Sequence, residues 1–377
     1  METKKYRFDE VTINFDKKRI PLSSAQREKR QGTFRYYGAQ GVIDHVDDYI
    51  YDGTYLLIAE DGENLKSKKQ NIAQVVDGQF WVNNHAHIVQ GNEQCDTRFL
   101  CYLINSMDLS GYVTGSAQPK LSQANLNAIT LSLPTLVEQK RIVEYLYMLD
   151  QKIDVNRQIN DNLYEIVNAY YTSLFKDVEC EMTTIGNYAE RIYSGGTPTT
   201  SNAAYWDGTF GWFSSGETRN RFVISTEKSI TQTGIDNSST KLASKHDIVM
   251  ASAGQGFTRG QTSMLLIDTY VNQSVIVIHA DRNILPYLFW NLANRYEELR
   301  AISDSSSIRG SLTTKMIAAF EIPCANNDVI QTFSGFAWAV IPQIENNLLE
   351  NERLAALRDS LLPKLMTGEI DVSAIQL

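Results

Sequence analysis

Two stretches of the sequence decide the fold: IVEYLYMLDQKIDVNRQINDNLYEIVNAYYTSL (Ile142–Leu174) and FSGFAWAVIPQIENNLLENERLAALRDSLLPKL (Phe333–Leu365). Each carries its apolar residues at alternating steps of four and three, and the second pattern repeats the first about 190 positions later. Such spacing is typical of helices that pack in a coiled coil. The predicted seam comprises Ile142, Leu146, Leu149, Ile153, Asn156, Asn160 and Leu163 in the first helix, and Ala337, Val340, Ile344, Asn347, Asn351 and Leu354 in the second.

A pair of asparagines recurs at the same place in both patterns, and buried asparagines fix the register of a coiled coil at some cost in stability. We expect the two long helices to pair antiparallel, with a globular domain at each end. The alternative is that each helix packs only on its own domain. Arg358 breaks the apolar pattern, and we expect Leu357 to cover that turn. Pro342 is expected to kink or split the second helix.

The rest of the chain forms two similar mixed α/β domains. Tyr55–Ala59 and Ala86–Val89 are predicted strands of the first domain, and Thr97–Met107 is a predicted helix. The second domain repeats this plan. We place the boundaries at 1–118 for the first domain, 119–180 for the first helical segment, 181–321 for the second domain and 322–377 for the second helical segment. The fold class is therefore α/β (α+β) with an internal pseudo-two-fold repeat.

The composition is that of an ordinary soluble protein: 377 residues, 43% hydrophobic and 21% charged. The amino terminus is polar, no apolar run approaches the roughly 20 residues of a membrane helix, and the four cysteines lack metal-binding spacing. We therefore expect a cytoplasmic protein with reduced thiols. The net charge of −9 opposes nucleic-acid binding, but part of the deficit lies in the helical segments, where residues 322–377 hold three basic and seven acidic side chains.

Catalytic signatures are missing from the sequence. Gly195–Thr200 (GGTPTT) lacks the lysine of a phosphate-binding loop, and no nucleophile elbow is present. His85 and His87 stand two apart with no third metal ligand nearby, so a polar turn explains them better than a metal site. We therefore expect no catalytic residue, no metal and no built-in methyltransferase.

Several polar and basic clusters fit contact with DNA, because lysine and arginine hold phosphates whereas arginine, asparagine and glutamine read base edges. Residues 17–35 contain seven cations opposed by one acid. A solvated charged surface is the competing interpretation, and the aromatic residues fit a core equally well. In the first domain the candidates are Lys17, Lys18, Arg19, Arg27, Lys29, Arg30, Arg35, Tyr36, Tyr37, Lys66, Lys68, Lys69, Asn83, Asn84 and His85. In the second they are Thr197, Ser214, Ser215, Arg219, Arg221, Gln255, Arg259, Gln261, Asn272 and Gln273.

Three stretches carry a resemblance to a known family. SGGTPTTSNAAYWDGTFGWFSSGE (Ser194–Glu217) resembles the opening of a target-recognition domain of the specificity subunits of type I restriction–modification systems. QPKLSQANLNAITLSLPTLVEQKRI (Gln118–Ile142) is similar to the entry to their central helices, and SLLPKLMTGEIDV (Ser360–Val372) to their carboxyl-terminal ending. Ile322–Phe333 lacks the LPxLxEQ form that the first copy has. The resemblance spans essentially the whole chain.

This resemblance implies a non-catalytic subunit with two target-recognition domains, each reading one half of a split, asymmetric sequence in double-stranded DNA. The coiled coil would set the unread gap and dock two modification (methyltransferase) subunits. It implies that S-adenosylmethionine, ATP and Mg²⁺ act on the modification and restriction partners, with no cofactor on this chain. Leu136, Tyr145, Tyr147, Ile166 and Tyr171 lie off the seam and predict further helical partners. A scaffold that joins two protein-binding domains without touching DNA is the rival hypothesis.

Overall fold

The computed structural model describes residues 2–67, 70–115, 118–175, 181–254, 257–305 and 310–370. The chain divides into two compact units, one formed by Met1–Lys152 with Arg353–Leu377 and the other by Ile153–Glu352. Each unit therefore contains one globular part and a portion of both helical segments. In the described residues, no helix has the length and apolarity that crossing a membrane requires.

The first unit opens with short elements and ends in a long helix. Its elements in chain order are β1 (Lys4–Arg7), α1 (Phe8–Val11), β2 (Thr12–Asn14), α2 (Ser24–Glu28), β3 (Gln31–Gly38), β4 (Gly41–Val46), β5 (Tyr51–Asp52), β6 (Tyr55–Ala59), α3 (Asn64–Ser67), β7 (Ala73–Val76), β8 (Gln79–Val82), β9 (Ala86–Gly91), α4 (Thr97–Ser106), α5 (Gln123–Asn127), β10 (Thr130–Leu133) and α6 (Leu136–Phe175). Short 3₁₀ helices cover Asp16–Lys18 and Ser110–Tyr112. Asp96 caps α4 by accepting from the backbone N–H groups of Arg98 and Phe99.

The first unit contains two four-stranded sheets with the orders β2-β9-β6-β7 and β4-β3-β8-β5, and a small β1-β10 pair. All strand pairs of the first sheet are antiparallel, whereas β3 and β8 run parallel in the second. β6 is buried along its whole length, which explains why its sequence YLLIA is apolar on both faces.

The second unit repeats the same elements with longer loops. They are β11 (Met182–Thr184), α7 (Ile185–Tyr188), β12 (Ala189–Ser194), β13 (Trp206–Phe213), β14 (Phe222–Val223), β15 (Lys228–Ile230), α8 (Gln232–Asp236), β16 (Lys241–Ala243), β17 (Ile248–Ala251), β18 (Thr262–Leu265), β19 (Thr269–Val271), β20 (Val275–Ala280), α9 (Leu285–Ala293), α10 (Tyr296–Ser305), α11 (Thr314–Ala318), β21 (Glu321–Pro323) and α12 (Asn327–Thr367). Further 3₁₀ helices cover Ala203–Tyr205 and Ser215–Arg219.

The strand orders confirm the internal repeat. The second unit has the sheets β12-β20-β17-β18-β14 and β15-β13-β19-β16 and the pair β11-β21. Each strand of the first unit has a counterpart here, and the parallel pair β3–β8 corresponds to the parallel pair β13–β19. β14 is an addition at the edge of the larger sheet. The counterpart of α4 is interrupted at Asn294 and Arg295, so that two helices, α9 and α10, stand in its place.

α6 and α12 pack against each other in both units and run antiparallel. In the second unit Asn156 donates from Nδ2 to Oδ1 of Asn351 at 2.9 Å, and Asn347 donates from Nδ2 to Oδ1 of Asn160 at 2.8 Å. In the first unit Leu365 shares a core with Ile142, Val143 and Leu146. The predicted seam residues are buried or half-buried, and the predicted asparagine pairing is confirmed. The two rows of asparagines thus define which turn of α6 faces which turn of α12.

Pro342 does not split the second helix. α12 is one helix of 41 residues that continues through Pro342. Pro342 is exposed, whereas Ile341 and Ile344 on either side are each 1% exposed, so seam packing holds the helix together across the missing N–H group. Gly368 ends the helix with a φ of 74°.

Leu357 does not cover the polar turn, since it is 46% exposed. Arg358 instead donates from Nη1 to Oδ1 of Asp150 at 2.6 Å, and Tyr102 of α4 donates its hydroxyl to the other oxygen of Asp150 at 2.5 Å. A three-element polar junction therefore replaces one apolar layer of the seam.

Candidate nucleic-acid interface

The GGTP segment of the second unit lies against the turn between β19 and β20. The N–H of Gly196 donates to the carbonyl oxygen of Val271 at 3.1 Å, and the Thr197 hydroxyl donates to Oε1 of Gln273. A Cβ at Gly195 would fall 1.9 Å from the Val271 oxygen, so only glycine permits this approach. The segment and the turn therefore form one surface, on which Gln273 is exposed.

A second loop meets the same turn. The N–H of Ser252 at the end of β17 donates to the carbonyl oxygen of Ser274, and the N–H of Leu312 donates to that of Ser252, both at 2.8 Å. The β17–β18 loop and the GGTP segment are thus brought together at one end of the sheets. We call this surface the loop edge of the second unit. It is formed by the GGTP segment, residues 272–274 and the described residues of the β17–β18 loop, 252–254 and 257–261.

The first unit has the equivalent edge. The N–H of Glu60 donates to the carbonyl oxygen of His85 at 2.9 Å, and the N–H of Leu121 donates to that of Glu60 at 2.8 Å. The β8–β9 turn and the β6–β7 loop consequently meet as their counterparts do. Lys66 of the β6–β7 loop is exposed and donates to the carbonyl oxygen of Gly115 at 2.9 Å. Lys68, Lys69 and, in the second unit, Gln255 lie outside the described residues.

The β8–β9 turn contains one buried polar residue, which stabilises the turn, and two exposed polar residues. Asn83 is buried, and its Oδ1 accepts from the N–H of His85 at 2.8 Å, which stabilises the turn. Asn84 and His85 are exposed, with Nδ1 of His85 2.7 Å from Oδ2 of Asp61. Asn84 and His85 are therefore the residues of this turn that a ligand can reach.

A buried ionic cluster lies beneath the edge of the first unit. Nδ1 of His87 is 2.7 Å from Oδ2 of Asp16, and Arg19 donates to Oε2 of Glu60 at 3.0 Å. Burial opposes ionisation of Asp16, but its hydrogen bonds to His87 and Ile88 and the nearby cations hold the pKa of this carboxyl below its usual value. Burial likewise opposes protonation of His87, yet the contacts with Asp16 and the Leu121 carbonyl raise the pKa of the imidazole. Arg19 thus serves the fold of the edge, as a structural cation.

The other arginines of the basic stretch are also paired. Arg27 donates to Asp44 at 2.7 Å, Arg30 donates to Asp47 at 2.8 Å, and Arg35 donates to the Asp77 carbonyl oxygen at 2.6 Å. Their guanidinium groups cover the rings of Tyr36, Trp81 and Tyr37 respectively. The exposed cations of the stretch are Lys17, Lys18 and Lys29.

Tyr36 and Tyr37 belong to the core, being 0% and 4% exposed. The core interpretation of this aromatic pair is therefore the right one, and a base-stacking role for the rings is excluded by burial. The Tyr36 hydroxyl accepts from the N–H of Leu22 at 2.9 Å, which holds the basic segment against the smaller sheet.

The predicted arginines of the second unit also make internal contacts. Arg259 is 8% exposed and pairs with Asp304, and it donates to the Gly310 carbonyl oxygen at 2.7 Å. Arg219 pairs with Glu227 at the surface. Arg221 lies over the ring of Tyr164 on α6, with its guanidinium carbon 4.2 Å from the ring centroid.

The remaining polar candidates of the second unit differ in access. Ser214 donates its hydroxyl to Glu217 at 2.9 Å and caps the 3₁₀ helix in which the half-buried Ser215 lies. Asn272 accepts from the N–H of Ser274 at 3.0 Å and shapes the turn. The Oε1 atom of Gln261 is buried and has no hydrogen-bond partner within the described part of the chain.

The described residues contain no cluster of three or more histidine, cysteine or acidic side chains that could hold a metal ion. The two repeats thus present loop edges with different polar residues on one shared sheet plan. Specificity in proteins commonly resides in such loops on a fixed scaffold.

Comparison with known proteins agrees with this architecture. Residues 2–165 and 178–329 match the family model described as the type I restriction modification DNA specificity domain. The chain belongs to this family. The two matched segments correspond to the two repeats, the first together with most of α6 and the second with the first residues of α12.

Curated relatives point to the same family. The chain is 36% identical over 138 residues to the type I restriction enzyme specificity subunit named S.HindORF215P of Haemophilus influenzae, a match that spans 37% of this chain and 35% of that protein. It is 21% identical over 404 aligned positions to the HindI specificity subunit of the same organism, spanning 85% of this chain and 84% of the relative. The crystal structure of an S subunit of a type I restriction–modification system from M. genitalium is similar in fold, with a TM-score of 0.60, 14% identity and coverage of 97% of this chain and 96% of that one.

The predicted extra apolar faces of the long helices are mostly internal. Tyr171 is 7% exposed within the core of the second unit, and Tyr145 packs against the core of the first. The guanidinium group of Arg98 lies over the ring of Tyr147. Of the five residues, Ile166 is the exposed one, at 54%. Val155 and Ile159 extend this apolar face of α6 by helical spacing, a feature that the seam analysis missed.

Proposed function

We propose that this chain is the DNA-reading subunit of a type I restriction–modification complex and that its two repeats read the two halves of a split, asymmetric target. The observation that carries the proposal is the pair of equivalent loop edges, which share a strand plan but expose different residues. Asn84 and His85 are exposed polar residues of one edge, and Thr197 and Gln273 are polar residues of the other.

We further propose that α6 and α12 set the distance between the two halves. The antiparallel pairing of these helices, with its asparagine contacts, supports a fixed register. A rigid helix pair of fixed length would translate into a constant number of unread base pairs, as dimer geometry does in other DNA readers.

Partners follow from the family. We propose that two modification subunits dock on the chain and methylate an adenine in each half-site with S-adenosylmethionine, and that restriction subunits add ATP- and Mg²⁺-dependent translocation and cleavage. The apolar face of α6 at Val155, Ile159 and Ile166 is accessible for such contacts. The chain itself would supply recognition and no chemistry.

Footprinting of the chain assembled with its modification subunit tests the proposal. The expected result is two protected patches separated by a constant gap on DNA fragments that share the methylated motif. Assembly without protection of any sequence would contradict DNA reading and would favour a scaffold that joins protein partners.

A further inference from the structure

Phe257 stands out among the apolar side chains of the described residues. It is 86% exposed, the highest value for any large apolar residue there, and the next is Val137 at 64%. A single exposed apolar residue is not unusual. Phe257, however, belongs to the β17–β18 loop, one of the three segments that form the loop edge of the second unit.

The backbone that follows Phe257 is held by several contacts. The Tyr296 hydroxyl donates to the Phe257 carbonyl oxygen at 2.6 Å. Two residues later, buried Arg259 is held by Asp304 and by the Gly310 carbonyl oxygen. The loop closes where the N–H of Gly260 donates to the Ala251 carbonyl oxygen at 2.9 Å. The ring is therefore presented to solvent from a backbone that is anchored on its carboxyl-terminal side, which reduces the entropy lost when it enters a binding partner.

The surroundings of the ring favour stacking over phosphate contact. Arg259, the described cation nearest in sequence, is buried and paired with Asp304, and Asp304 also lies 3.5 Å from Arg300. Glu297 and Glu298 on α10 are exposed acids. The arginine of this loop is therefore not free to bind phosphates, and the group that the loop exposes to a DNA duplex is an aromatic ring. Proteins that deform DNA insert such apolar side chains between base steps.

We propose, on the basis of the DNA-reading function above, that Phe257 is an apolar wedge that enters the base stack at the half-site read by the second unit. The wedge is a specificity-determining contact because unstacking costs less at flexible base steps than at stiff ones. Its contribution to binding is apolar and does not release counterions.

The test uses the full chain assembled with its modification subunit and a duplex that carries the motif found by methylation profiling, with 2-aminopurine placed at each adenine in turn. In the natural protein, fluorescence should rise at one position in one half-site. Phe257→Ala should abolish that rise and weaken binding about tenfold to hundredfold, since base–aromatic stacking contributes on the order of 1–3 kcal/mol per base. The dependence of the dissociation constant on salt should keep its slope.

Phe257→Leu should retain most of the signal, because leucine also acts as a wedge. Leu242→Ala removes a half-exposed apolar side chain from β16 and serves as the matched control, with binding unchanged. Unchanged binding and fluorescence for Phe257→Ala would overturn the wedge while leaving DNA reading intact. Loss of modification-subunit assembly in Phe257→Ala would also overturn it, since the ring would then be a protein contact. Absence of any sequence-specific protection by the natural protein would instead refute the proposed function.

Discussion

At the scale of single residues, charge partners far apart in sequence decide what each cation can do. Arg27 pairs with Asp44, Arg30 with Asp47, and Arg19 with Glu60. The clustering of cations in residues 17–35 indicates a basic surface, but local sequence contains no information about acids that a sheet brings beside them. The exposed lysines Lys17 and Lys29 therefore remain better candidates for phosphates than the arginines between them.

The Asp16–His87 contact predicts a stability that depends on pH. At pH values above the usual pKa of an aspartate, the lowered pKa of Asp16 stabilises the folded state. This stabilisation is lost as the pH falls through the lowered pKa. The raised pKa of His87 contributes stability at lower pH, lost as pH rises through the raised pKa. At pH values between the lowered pKa of Asp16 and the raised pKa of His87, Asp16→Asn should therefore lower the free energy of unfolding by about 3 kcal/mol. Outside this pH range the loss should be smaller.

Urea denaturation at a series of pH values measures this difference. Asp9→Asn is the matched control, because Asp9 pairs with Arg7 at the surface and should lose little. An equal effect of the two substitutions at every pH would show that the buried contact is not a stability determinant.

At the scale of elements, the long helices and the strands were predictable and the side-chain surroundings were not. The heptad spacing identified the seam and the asparagine pairing, because the period of apolar residues along a helix indicates which of its faces is buried. It could not show that Asp150 and Tyr102 complete the turn of Arg358, since both lie far from it in sequence. Likewise, an aromatic pair such as Tyr36 and Tyr37 has the same local pattern in a core as on a binding face.

The asparagine layer yields an element-scale prediction. Asn160→Leu alone leaves the Nδ2 group of buried Asn347 without its acceptor and should cost about 1–3 kcal/mol. Asn160→Leu with Asn347→Leu removes both amides and should recover or exceed the natural stability, while permitting shifted registers. Thermal unfolding of the two single variants and the double variant measures the coupling, with Gln158→Leu on the exposed face as control. Additive effects would mean that the two amides do not act as a pair.

At the scale of the whole molecule, the two repeats should act as separate readers. Gln273 is exposed on the loop edge of the second unit, so Gln273→Ala should alter or relax one half of the methylated motif and leave the other half intact. Methylation profiling of host DNA reads both halves at once. Asn84→Ala in the first unit is the reciprocal variant and should affect the opposite half. Equal loss at both halves in each variant would contradict independent reading.

The role of α6 and α12 as a spacer is tested most directly by shortening both helices at facing positions. Deleting residues 152–155 and 352–355 removes about one turn, or 6 Å, from each. A length-matched control replaces only the exposed residues Lys152, Asp154, Glu352 and Arg353 of these segments with alanine. Methylation profiling should show both half-sites unchanged and the gap shorter by about one or two base pairs in the deletion, with the natural gap in the control. A deletion variant that methylates the natural motif with its natural gap would show that α6 and α12 do not set the spacing.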